Sequence, residues 1–123
     1  MTRASMTDSQ YRERIEKELT AAYNYSRAGE EGKARVCGRR AAGEAIGWYL
    51  ERKPVSGWGR DVMTRLSRLK SDPQFPEEIR FAAERLSARI TADFSYPKPF
   101  NPVEDAKLII EYVRRVLEGG SVR

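Results

Sequence analysis

Histidine is absent from the 123 residues and cysteine occurs once. Without an imidazole the chain has no Ser-His-Asp or Cys-His nucleophile pair, no histidine acid or base and no His-ligated zinc. A single thiol excludes disulfide frameworks and paired-cysteine redox or zinc sites. Long apolar runs are missing as well. The longest bulky stretch is three residues, such as Leu108-Ile109-Ile110, against the roughly 20 that a membrane-spanning helix needs. The opening MTRASMTDSQYRERIEKELT carries no signal-type apolar core, so the expected setting is cytoplasmic and the expected membrane role is none. Glycine-rich phosphate loops, Walker motifs and RNA-recognition aromatic signatures are not found. No catalytic residue, metal ligand or cofactor is assigned, and the residues favour a non-enzyme over an enzyme.

What is present is helical periodicity in five segments, with no strand-like alternation of any length. Residues 1–9 are polar and expected to be flexible; residues 10–123 read as one helical-bundle domain. The first helix spans about Gln10 to Arg27 and buries Tyr11, Ile15, Leu19 and Ala22. Its wet side offers the i,i+4 pairs Arg12 with Glu16, Glu13 with Lys17 and Arg14 with Glu18. The second, about Glu30 to Arg52, carries one apolar stripe through Ala34, Cys37, Ala41, Ala45, Trp48 and Tyr49. Another runs through Val36, Gly43, Ile46, Gly47 and Leu50, and so wide an apolar arc suits a central helix. Its glycines and alanines let neighbours approach closely, which offsets the roughly 1 kcal/mol that each interior glycine costs.

The turn cluster Lys53 to Gly59 precedes a short helix, about Arg60 to Leu69, and Ser71 to Pro76 breaks the chain again. A fourth helix follows from Pro76, its stripe running through Ile79, Ala82, Ala83, Leu86, Ile90 and Phe94. Residues 95–100 form a stiff extended connection. Asn101 caps the last helix, with Pro102 at its first position, Glu104 at the reciprocal capping position and Gly119-Gly120 as the stop. The predicted fold is all-α, an antiparallel up-and-down bundle of four long helices plus one short helix.

Three acidic doublets, Glu30-Glu31, Glu77-Glu78 and Glu104-Asp105, fall in first helical turns, where capping and the helix dipole explain them. Glu44 is the mid-helix acid to inspect for metal chemistry. Cys37 reads as a small core hydrophobe, and Trp58, between Gly57 and Gly59, as a plug at the bundle end.

Net charge is +5, and arginine outnumbers lysine 17 to 6. Residues 29–75 hold ten basic and six acidic side chains, leaving thirteen and twelve elsewhere. Arg35, Arg39, Arg40, Arg65 and Arg68 are the candidate phosphate-contacting set, for RNA or a nucleotide, because guanidinium suits bidentate phosphate contact. The competing reading is a solvated face in which Glu31 pairs with Arg35, Arg40 with Glu44 and Asp61 with Arg65.

The order of elements, with EEGKARVCGRRAAGEAIGWYLERK as a small-residue-rich central helix and EDAKLIIEYVRRVLE at the end, resembles the HEPN superfamily over about residues 11–118. The resemblance implies an all-helical bundle that dimerises. Many such proteins are metal-independent ribonucleases with an Arg…His motif near the final helix. Others are non-catalytic partners of small nucleotidyltransferases in toxin–antitoxin pairs, or bind nucleotides. Here the nearest upstream arginine is Arg89, and Phe94, Ser95 and Tyr96 stand where the histidine belongs. The expectation is therefore a non-catalytic, HEPN-like, homodimeric interaction module with a nucleotidyltransferase as a further partner. The alternative is nucleic-acid or nucleotide binding through residues 33–68.

Overall fold

The computed structural model describes residues 6–53, 58–88 and 95–119. The ordered elements among them are α1 (Asp8–Arg27), α2 (Glu31–Arg52), α3 (Val62–Ser71), α4 (Glu77–Ser87) and α5 (Pro102–Leu117), with no strand. The chain is an all-α bundle.

Helix α1 begins two residues before the predicted start because Thr7 and Gln10 form a reciprocal cap. The Gln10 amide donates to Thr7 Oγ1 at 3.1 Å and the Thr7 amide to Gln10 Oε1 at 2.8 Å. The segment expected to be flexible is thus helical from Asp8. Asp8 also accepts from Trp48 Nε1 at 2.9 Å and pairs with Arg52, fastening the start of α1 to the end of α2. The two helices therefore run antiparallel. The i,i+4 pairs expected on α1 give way to tertiary ones: Arg12 meets Glu118 at 3.7 Å and Arg14 meets Glu44 at 3.6 Å. Gly29, at φ +79°, ends the helix in a conformation that glycine adopts without strain.

Helix α2 is central and packs on every other helix. Ala34, Cys37, Ala41, Ala45 and Trp48 of one predicted stripe are buried, as are Gly43 and Ile46 of the other. Close approach explains two of its glycines. A Cβ on Gly38 would lie 3.1 Å from the Pro102 carbonyl oxygen, and one on Gly43 would lie 2.7 Å from Val62 Cγ2. Gly38 touches the start of α5, and Tyr49 and Tyr112 both meet Phe75 edge-on, so α2 and α5 run in the same direction. Helices α4 and α5 are antiparallel, with Arg85 beside Asp105 at one end.

Asp61 caps α3 by accepting from the Thr64 amide at 2.9 Å, so that helix starts at Val62. Asn101 caps α5 as predicted, accepting from the Glu104 amide at 2.9 Å. The Glu104 carboxylate lies 3.7 Å from Lys107 instead of returning to Asn101. Helix α4 ends at Ser87, with Ala88 extended. The described bundle thus has three long helices of 20, 22 and 16 residues and two short ones of 10 and 11. Ile90 and Phe94, which the periodicity assigns to α4, lie outside the described residues, as does Arg89. Trp58 is buried and packs edge-on against Phe75 at 5.9 Å between centroids, closing one end of the core as a plug.

Candidate functional site

The five arginines of the sequence analysis fall into different environments. Arg35 is 3% exposed, with its guanidinium carbon 6.0 Å from the centre of the Tyr96 ring. Burial lowers its pKa, while the charges of Glu31 and Tyr96 oppose that shift. Arg39, one turn on, donates Nε to the Leu86 carbonyl at 2.5 Å and Nη2 to the Ala88 carbonyl at 2.8 Å. It thereby satisfies carbonyls that the C-terminus of α4 leaves without intrahelical donors. Its guanidinium is also held below its ordinary pKa, first by burial and then by Arg35. Arg65 reaches across from α3 and donates to the carbonyls of Gly59 and Gly43, each at 3.4 Å. Arg40 and Arg68 are exposed, and Arg68 lies over the Trp58 ring at 5.7 Å. Asp61, expected to pair with Arg65, is engaged in capping α3, and Glu44 meets Arg14, not Arg40.

A second cluster, which sequence reasoning missed, joins α4, α5 and the segment before α5. Asp105 is 1% exposed and accepts two hydrogen bonds from Arg85, Nε to Oδ2 at 2.8 Å and Nη2 to Oδ1 at 2.9 Å. The Tyr96 hydroxyl donates to Oδ2 at 2.6 Å. Burial, reinforced by that bond to Asp105, pushes the Tyr96 phenol far above its ordinary range. The Tyr96 amide reaches Glu31 Oε2 at 3.3 Å, and the Arg85 guanidinium carbon sits 3.6 Å from the centre of the Phe100 ring. By its position in the first turn alone, Asp105 is a dipole-compensating acid. The signal overlooked is its register: it precedes Ile109 by four residues and so lies on the buried stripe.

Cys37 is buried beside Ala22 and Val103, and burial raises its thiol pKa. Among the described residues no three Cys, Asp or Glu side chains converge in a way that could hold a metal ion. No helix among them is long and apolar enough to cross a membrane.

One open groove among the described residues, of about 560 Å³, lies between α4 and α5. Ile79, Leu108 and Tyr112 line it, Pro99 and Phe100 close one end, and Glu78, Glu104, Lys107, Glu111 and Arg115 contribute charge of both signs. Phe100 is 44% exposed, among the most exposed large apolar side chains described. Charged residues around a partly apolar centre are the usual composition of a protein-binding patch. No protein-family model matches the chain, and no curated protein or solved structure matches it either.

Proposed function

We propose that the chain is a non-catalytic, HEPN-like helical bundle that acts as a homodimeric protein-interaction module. The observation that carries this reading is the division of the polar surface. Arg35, Arg39 and Arg65, three of the five arginines suited to phosphate, are turned onto aromatic and carbonyl groups of their own chain. The α4–α5 groove, by contrast, is open, with apolar and charged groups side by side. Absence of histidine, burial of Cys37 and the Arg85–Asp105–Tyr96 closure of the one acid buried among the described residues all argue against acid–base or nucleophilic chemistry. The HEPN resemblance adds a small nucleotidyltransferase as a second partner class.

Light scattering coupled to size exclusion tests the reading. The expected result is a particle of twice the 14.1 kDa chain mass. Fluorescence anisotropy of labelled single-stranded RNA across a salt titration is the counter-test. A monomer that binds RNA with a steep salt slope would replace this reading by phosphate-backbone binding through Arg40, Arg68 and their neighbours.

A further inference from the structure

The exposed stripe of α5 has an internal symmetry. Glu104, Leu108, Glu111 and Arg115 follow one another at intervals of four, three and four residues, on one side of the helix and all along the groove. That spacing is its own mirror about the point between Ile109 and Ile110. Laid antiparallel on a second copy of itself, the stripe places Glu104 opposite the partner's Arg115 and Arg115 opposite the partner's Glu104. Leu108 falls opposite the partner's Glu111, whose carboxylate its own Arg114 holds at 2.8 Å, so the complementarity rests on the two Glu104–Arg115 pairs, with Lys107 diagonally beside the partner's Glu111. Parallel pairing would oppose Glu104 to Glu104 and Arg115 to Arg115. A two-fold contact needs this kind of self-complementary patch, in which residue i meets j and j meets i.

The observations around the stripe fit the same occupant. Glu104, Lys107, Glu111 and Arg115 are exposed, while Leu108 is half-buried at the middle of the row. Glu104 and Arg115 are eleven residues apart, or about 16 Å along the axis at 1.5 Å per residue. Two such helices therefore fix each other at both ends. Phe100, held under Arg85, stands beyond the Glu104 end and would cover the C-terminal turn of the partner helix.

From this register we propose that the α4–α5 groove is the two-fold interface of a homodimer, occupied by the α5 helix of a second copy running antiparallel. The inference rests on the homodimer reading above and specifies its face and register.

Sedimentation equilibrium of the full chain and three variants tests it, with far-UV circular dichroism checking that each variant keeps its helix content. Glu104→Arg and Arg115→Glu each break both symmetric contacts. Each should raise the dimer dissociation constant by about tenfold, and less at 1 M salt, where screening removes the attraction. The double exchange Glu104→Arg/Arg115→Glu reverses the sense of each pair and should return the constant to near the wild-type value. A monomeric wild-type chain overturns the homodimer reading and this interface with it. A dimer indifferent to both single changes overturns the interface alone. A dimer weakened by the single changes but not restored by the double one overturns the antiparallel register.

Discussion

Arg39 donates to two carbonyls at the end of α4, whereas its neighbour Arg40 is exposed. Replacing Arg39 by alanine leaves those carbonyls without donors, and hydrogen bonds from a charged group are worth roughly 1.5–3 kcal/mol. Arg39→Ala should therefore lower unfolding free energy in urea by about that amount. Arg40→Ala should stay within about 0.5 kcal/mol of wild type. The buried Asp105 is more sensitive. Asp105→Ala strands Arg85 and removes the acceptor of Tyr96, a loss of about 3–5 kcal/mol for breaking a buried pair. Against a total of roughly 5–15 kcal/mol, the expected sign is a sharp fall in Tm. Tyr11 supplies a pH dependence: burial and its hydrogen bond to Glu51 raise the phenol from 10.0 to about 12. A raised folded-state pKa gives stability that is complete below pH 10 and lost as pH climbs toward 12. Urea midpoints should accordingly decline across that window, and Tyr11→Phe should shallow the decline.

At the scale of the helices, the glycines of α2 separate two effects that a sequence cannot. Alanine in place of glycine inside a helix gains about 1 kcal/mol of propensity. At Gly43 the new methyl would meet the stiff, branched Val62, and the strain of overpacking, roughly 1–3 kcal/mol, should prevail. At Gly47 the nearest atom is the far end of the Arg65 side chain, which can swing aside. Gly43→Ala should lower Tm and Gly47→Ala should leave it level or raise it. Much of this element structure was legible beforehand. The α2 stripes, the Asn101 cap and the stop at Gly119 follow from periodicity and local chemistry that act within one or two turns. What was not legible depended on partners distant in sequence. Arg12 and Arg14 chose Glu118 and Glu44 over local acids, and Asp105 was read by its place in the first turn, not by the face it shares with Ile109. The arginine set failed to converge for the same reason: the carbonyls that Arg39 and Arg65 reach belong to α4 and to the α2–α3 side of the bundle.

For the whole molecule, the central place of α2 has a kinetic side. Helix α1 returns along α2 through one short turn, and Asp8 bonds Trp48 and Arg52 across 40 and 44 residues of chain. That hairpin encloses its own apolar seam and needs no distant segment to begin forming, the condition under which helical pairs assemble early. The amides of Ala41, Ala42 and Ala45 lie under neighbours on every side and can meet deuterated solvent only when the bundle as a whole comes apart. Their exchange would register global unfolding. The amides of the ten-residue α3, with two buried side chains, would open through smaller and more frequent excursions.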